Sequence, residues 1–389
     1  MTAASELTRF REDIQRCMRC GFCRALCPTW EEIGWETGSP RGRMLALKGI
    51  LDGSLEPSQF ISDRIFDCTL CGYCTWRCPP GVKTVDILKS ARALLVEKGC
   101  YPQSLNEISS SIKGEHNVYG LPAQGRADWI DYVGMTGEVP TKGSAKLVYF
   151  VGCVTSYSGR AMSLAAATSK ILNEVGVDWM TLGNQEWCCG DPLLLAGKKS
   201  QAKELVSHNV DAIHDTGAEL VITPCPGCYR TFVTEYPEFV GDLGFRVLHV
   251  SQFFEQLINE GKLKLKKKAL EAAVYHDPCE LGRLSNIYDP PRNVLRKIPE
   301  LKLLELGKSK ELTRCCGAGG ALKITNPSLS LRLASKKLDE CKSSGANLIV
   351  SSCPTCKLNI SDAVMETGGD IRVLDIVEVV AEAMGLDLG

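Results

Sequence analysis

Ten cysteines in this chain fall into two sets of five that repeat almost in register: Cys153, Cys188, Cys189, Cys225 and Cys228, then Cys279, Cys315, Cys316, Cys353 and Cys356. Partners lie 126, 127, 127, 128 and 128 residues apart. An apolar, strand-like run precedes the first cysteine of each set (KLVYFVGC, EAAVYHDPC), and GAELVITPCPGC is answered by GANLIVSSCPTC after an amphipathic helical stretch. Strands alternating with helices over a repeated segment demand two copies of one unit. The expectation is two α/β subdomains, 144–262 and 269–389, related by a pseudo-twofold and presenting cysteines at strand ends.

Eight more cysteines form two runs, Cys17-x2-Cys20-x2-Cys23-x3-Cys27-Pro28 and Cys68-x2-Cys71-x2-Cys74-x3-Cys78-Pro79. Such runs hold cubane [4Fe-4S] clusters, three thiolates wrapping one face of the cube while the fourth comes from the other run. Cys17, Cys20, Cys23 and Cys78 are therefore expected on one centre, and Cys68, Cys71, Cys74 and Cys27 on the other. Paired zinc knuckles would not require the repeated x3-Cys-Pro ending. The long spacer between Cys27 and Cys68 contains the helical stretch RGRMLALKGILDG, and VDILKSARALLVEKG reads as an amphipathic helix stopped by Gly99. Residues 1–100 are thus expected to form a helical ferredoxin-type domain. The Gly-, Pro- and Ser-rich 101–143 reads as a surface linker. The overall expectation is an α+β multidomain chain, with the lysine run 262–268 as a solvated connection between the repeats.

With 45 basic and 46 acidic side chains, the chain carries no electrostatic footprint for nucleic acid or anionic lipid. Its N-terminal residues lack the apolar segment of a secretory signal, and the longest apolar runs fall short of the ~20 residues that span a bilayer. A cytoplasmic location is expected, with any membrane association through a partner. A reducing compartment disfavours disulfides, so 20 cysteines imply metal binding or catalysis.

Five thiolates exceed what a cubane needs. Adjacent side chains in extended backbone point to opposite faces, so Cys188 and Cys189, or Cys315 and Cys316, suit different irons of an enlarged or opened cluster. The alternatives are a four-ligand cluster with a spectator thiol, or zinc on the CxxC pairs with the Cys-Cys as a redox disulfide. Cys341 aligns with Ile213 on a helical apolar face and reads as a small hydrophobe, and Cys100 as a packed residue.

The two pentads, together with HDPCELGR at 276–283 and CCGAGG at 315–320, resemble the cysteine-rich CCG domains of heterodisulfide reductases. A ferredoxin domain fused to two CCG modules is similar to the catalytic D subunit of the methanogen-type enzyme, over nearly the whole chain. The resemblance implies two non-cubane [4Fe-4S] clusters on the pentads, fed by two cubane clusters, and reduction between them of a mixed disulfide of the coenzyme M-coenzyme B type. The pentad cysteines would then be catalytic. Relatives that act as relay subunits of flavin-dependent glycolate, lactate or glycerol 3-phosphate dehydrogenases often have one incomplete pentad; both are complete here.

Two clusters facing one cavity could each supply one of the two electrons a disulfide requires. Arg160, Arg230, Arg283 and Lys357 lie close in sequence to the pentads and are candidates to attract an anionic disulfide. His276, placed before Asp277-Pro278-Cys279, is a candidate proton donor or hydrogen-bond partner of cluster sulfur. GAGGAL at Gly317 lacks the last glycine of a dinucleotide turn and follows cysteines instead of a strand. Electrons are therefore expected to enter or leave through a flavoprotein, a ferredoxin or a membrane cytochrome.

Overall fold

The apolar runs that precede the cysteines become the central strands of two parallel sheets. The computed structural model describes residues 3–267, 269 and 271–388. Lys268, the end of the lysine run, and Met1, Thr2, Leu270 and Gly389, which the expected domain bounds include, lie outside the described residues. In the first sheet β1 (Leu147–Tyr149), β2 (Trp179–Met180), β3 (Leu220–Thr223) and β4 (Arg246–His249) run in the order β2-β1-β3-β4. In the second, β5 (Ala272–His276), β6 (Lys302–Leu304), β7 (Leu348–Ser351) and β8 (Arg372–Asp375) run β6-β5-β7-β8. The registers correspond: Val148 pairs with Val221 as Val274 pairs with Ile349. Central strands such as LVY and LIVS are buried along their whole length, because helices cover both sheet faces.

The helix Met162–Val175 of the first module packs on Ile376–Met384 of the second, and Val250–Asn259 packs on Asp289–Arg296. Exchanging the modules exchanges the two pairs, which is the pseudo-twofold expected from the repeat. Between the sheets, one core joins Tyr149, Ile222 and Phe254 of the first module to Tyr275, Val350 and Val380 of the second. The helices beginning at Val250 and Ile376 both start in a capping box, made by His249 with Gln252 and by Asp375 with Glu378.

His249 is wholly buried between Ser251 and the Pro224 carbonyl, and burial holds its pKa down at about 4. The unfolded chain, with a histidine pKa of ~6.5, binds a proton that the folded chain refuses between pH ~6.5 and ~4. Stability should fall as pH drops through that window, by about 3 kcal/mol at most from this group. Denaturant unfolding of His249→Gln should show a correspondingly flatter dependence than the wild type; parallel curves would contradict this.

The described residues up to 100, from 3 onward, are helical, with Pro40–Leu51 capped by Ser39 and Thr84–Glu97 running up to Gly99 at φ +72°. Their core, built on Leu47, Ile65, Leu88 and Leu95, extends onto Leu195 and Ala196 of the first module and Ala321 of the second.

The segment 101–143 differs from the expected surface linker. It carries a helix, Ser104–Glu115, that buries Leu105 and Ile112, and it buries Trp129 and Arg126 against the first module. Leu105, Ile108 and Ile112 stand at the i, i+3, i+7 spacing of a helix, a short signal surrounded by polar residues, whereas Tyr119, Leu121 and Tyr132 stay exposed. Beyond the repeats' boundary, Lys266 and Lys267 donate backbone N–H groups to the Ala383 carbonyl.

Candidate functional site

Each cysteine pentad sits at the C-terminal edge of its sheet. Cys153 follows β1, Cys188 and Cys189 follow β2, and Cys225 and Cys228 follow β3; β5, β6 and β7 present the second set in the same way. This edge, where strand order reverses between the first and third strands, is where open parallel sheets leave a crevice. The two edges face each other across one cavity of about 350 Å³, and every pentad cysteine except Cys315 lies on its wall.

The adjacent cysteines touch each other but take different further partners, in place of the opposite facing expected of extended backbone. Cys315 Sγ lies 4.0 Å from Cys279 Sγ, whereas Cys316 Sγ lies 3.2 Å from Cys356 Sγ. The first module repeats the split, Cys188 contacting Cys153 while Cys189 contacts Cys228. Each pentad is thus a pair joined to a trio. Within each trio one thiol is acidified: hydrogen bonds from Cys188 and Cys228 draw Cys189 down to about 7, and those from Cys315 and Cys356 hold Cys316 well below a thiol's usual value. A buried set of converging soft donors, none of them in a disulfide, fits a multi-iron cluster.

His276, at the end of β5, places a ring nitrogen with Cys316 and Cys356 Sγ in a group whose atoms all lie within 4.8 Å of one another. Both its ring nitrogens are buried without a partner, and burial first, then the Lys337 charge, push its pKa down to about 3. It faces the second pentad as a neutral imidazole.

The two ferredoxin-type sets occupy unlike positions. Cys27, Cys68, Cys71 and Cys74 are buried around one small void, whereas Cys17, Cys23 and Cys78 are partly exposed and Cys20 is exposed. Cys71 is in hydrogen-bond contact with Cys315 and packs with Cys279, so the inner set abuts the second pentad. The CCGAGG turn makes this approach: a Cβ on Gly320, at φ +61°, would lie 2.5 Å from the Cys68 carbonyl oxygen. At Gly319 it would lie 3.0 Å from that of Thr69. The glycines that resemble part of a dinucleotide turn thus serve contact between domains. Gly320→Ala should cost roughly 2–4 kcal/mol in denaturant unfolding, from strain at positive φ plus overlap, and Gly319→Ala less. Equal, small losses would contradict the contact.

None of the four cations singled out from sequence lines the cavity. Arg160 pairs with Asp362 at 2.6 Å near the surface, and Lys357 is buried on Glu378 at 2.7 Å. Arg230 lies between Glu235 and Glu280, and Arg283 donates to the carbonyls of Cys71, Glu311 and Thr313. Lys323 lines the cavity instead, and buried Arg126 donates to Cys153 Sγ at 3.5 Å. Sequence reasoning missed both, because an arginine in a Gly- and Pro-rich stretch and a lysine on a short helix carry no spacing signal. Cys341 is buried on its helix, level with Ile213, and the Cys100 thiol points to the carbonyls of Pro57 and Lys98. Among the described residues, no helix is long and apolar enough to cross a membrane.

Comparison with known proteins agrees with this arrangement. A family profile described as a cysteine-rich domain, CCG, matches residues 147–233 and 273–361, and one described as a 4Fe-4S dicluster domain matches 13–82. The D subunit of a dihydromethanophenazine:CoB–CoM heterodisulfide reductase from Methanosarcina acetivorans is 37% identical, the alignment covering 97% of this chain and 95% of that one. Its counterpart from Methanosarcina barkeri is 37% identical over 96% and 95%. A solved structure of a hypothetical protein from Helicobacter pylori shares the fold at a TM-score of 0.57 and 11% identity, covering 90% of this chain and 68% of its own. Duplicated CCG modules, a fused dicluster domain and end-to-end similarity place the chain, as an iron-sulfur oxidoreductase, in the family of heterodisulfide reductase D subunits.

Proposed function

We propose that this chain reduces a thiol-derived mixed disulfide, of the coenzyme M-coenzyme B type, in the cavity between its two CCG modules. The observation that carries this reading is the convergence of both complete pentads on one cavity, with the inner ferredoxin-type set abutting the second pentad. A relay needs clusters spaced in a line; two duplicated centres lining one apolar cavity suit a substrate that must be split in two.

The pentads, Cys153, Cys188, Cys189, Cys225 and Cys228 with Cys279, Cys315, Cys316, Cys353 and Cys356, would each hold a non-cubane [4Fe-4S] cluster, which supplies one electron when bound. Cys17, Cys20, Cys23 and Cys78 would hold an outer cubane cluster, and Cys27, Cys68, Cys71 and Cys74 an inner one. The exposed outer set receives electrons from a partner protein, whether flavoprotein, ferredoxin or membrane cytochrome, and the inner set passes them towards Cys315. The overall change, RS–SR′ + 2 e⁻ + 2 H⁺ → RSH + R′SH, takes its electrons from that partner. His276, whose ring nitrogens are otherwise unpartnered, would hydrogen-bond cluster sulfur, and Lys323, paired with Asp362 at 2.5 Å, would share its charge between that carboxylate and an anionic substrate.

Anaerobic oxidation of a reduced viologen by the iron-replete chain, with the coenzyme M-coenzyme B disulfide as acceptor, tests the reading. Steady disulfide-dependent turnover is expected. Its absence, with full iron content and viologen-reducible clusters, would overturn the substrate site and favour an electron-relay subunit of a flavin-dependent 2-hydroxy acid or glycerol 3-phosphate dehydrogenase.

A further inference from the structure

The two modules are alike in backbone but not in what touches their cysteines. In the first, Arg126 is 3% exposed and its guanidinium donates from Nη1 to Cys153 Sγ at 3.5 Å. It comes from outside both repeats, held in place where the neighbouring Ala127 N–H donates to Asn184 Oδ1 at 2.9 Å. Its other nitrogens bind Glu186 Oε1, at 3.2 and 2.5 Å. Glu186 in turn accepts the backbone N–H groups of Val151 and Gly152, at 2.7 and 2.8 Å, so the loop that carries Cys153 is bound to the same carboxylate. The guanidinium therefore stands between the sulfur and its counter-charge, with the cation nearer the sulfur.

Among the described residues, the second module has a partly buried guanidinium near its pentad but none hydrogen-bonded to one of its own pentad sulfurs. The 127-residue offset aligns Glu186 with Thr313, and the nearby Arg283, whose charge acts on Cys279 and Cys315, directs its donors to three backbone carbonyls and to the Cys71 thiol of the ferredoxin-type region, not to a pentad sulfur. Conversely, the 126-residue offset aligns His276 with Phe150, which lies edge-on to Phe232 at 4.9 Å. One pentad has a guanidinium hydrogen-bonded to its own sulfur; the other has a neutral imidazole beside it and feels the Arg283 and Lys323 charges without such a bond.

Resting on the reading of the pentads as cluster sites, we propose that Arg126 sets the reduction potential of the first-module centre through Cys153, making the two pseudo-symmetric centres electronically unequal. Reduction adds negative charge to a centre and its thiolates, and a cation hydrogen-bonded to a ligand sulfur in a low-dielectric site stabilises that charge. The first centre is held at a higher potential than its own cysteines would give it. Glu186 opposes this from farther away, so Arg126 and Glu186 pull in opposite directions. Unequal centres also offer an unsymmetrical disulfide two distinguishable ends to bind.

The test is an EPR-monitored redox titration of the full, iron-replete chain. The first centre is identified as the signal lost in Cys189→Ser, and the second as that lost in Cys316→Ser. Arg126→Met should shift the first centre's midpoint to lower potential. At the potential where the wild-type centre is half reduced, its reduced-to-oxidised ratio should fall about tenfold, the worth of one charge-assisted hydrogen bond. The second centre should not move. Glu186→Gln should shift the first centre upward, and Arg126→Lys, which keeps the charge but loses the fork, should fall between Met and wild type. If Arg126→Met loses iron, the Lys and Gln variants decide alone. Unmoved midpoints, or equal movement of both centres, would overturn the role of Arg126 while leaving the cluster reading intact. A wild-type chain without either signal would overturn both.

Discussion

Cys316→Ser is expected to lower disulfide-dependent turnover at least ~100-fold while leaving the ferredoxin-type signals unchanged. Cys316 is the hinge of its pentad: it follows Cys315, which faces Cys279 and Cys71, and places its own Sγ 3.2 Å from Cys356. Hydrogen bonds from Cys315 and Cys356 also hold its thiol well below the usual value. A serine oxygen is a harder and more basic donor, ill suited to an iron-sulfur centre. Cys189→Ser should do the same to the first module, since Cys189 occupies the equivalent position. Parallel measurement of turnover and EPR would check this. Retention of every pentad-dependent signal in both variants would refute the five-cysteine assignment.

Replacing Arg92 with methionine should cost about 3–5 kcal/mol. Arg92 is fully buried, and its guanidinium is spent on backbone. It reaches the carbonyl oxygens of Leu195 and Gly320 at 2.8 Å, Cys68 at 2.7 Å, and Ile65 and Phe66 at 3.2 and 3.4 Å. Those carbonyls belong to the ferredoxin-type region, the first module and the second, so one side chain ties three parts together beside the inner cysteine set. Burial pulls its pKa down to about 10, which leaves it charged at neutral pH. Methionine would strand these buried acceptors. Arg92→Lys should also fail, because one ammonium cannot replace a planar fork that reaches carbonyls on several sides. Denaturant unfolding gives the loss, and stopped-flow reduction should show slower electron passage from the ferredoxin-type centres to the pentads. A loss under about 1 kcal/mol would contradict this role.

Cysteine spacing made the metal chemistry legible because ligation is local: a CxxC turn and a Cys-Cys pair must be written in sequence to exist at all. The duplication was equally legible, since each strand, helix and ligand loop was copied together. The swapped helix pairs between modules follow from that copying. Residues 101–143 defeated the same reasoning. Leu105, Ile108 and Ile112 do recur at helical spacing, but over one short polar stretch, and the buried side chains Leu105, Ile112 and Trp129 join three different cores, which no local pattern reveals.

The candidate cations divide in the same way. Proximity in sequence to a cysteine pointed to Arg160, Arg230, Arg283 and Lys357; carboxylates occupy Arg160, Arg230 and Lys357, while Arg283 holds backbone carbonyls and the Cys71 thiol and lies near Cys279 and Cys315. Arg126 and Lys323 are themselves paired, with Glu186 and Asp362, but reach the site from segments whose sequence says nothing of it. Short-range spacing and periodicity were enough to group the thiols into pentads, to make each repeat α/β and to make the first hundred residues helical, because all three properties are written within a few turns of chain. Packing alone settled that the pentads share one cavity, that Cys71 meets Cys315, and that Arg126 reaches Cys153 while His276 reaches Cys316 and Cys356. Those are contacts between segments far apart along the chain, set by how separate hydrophobic faces come together.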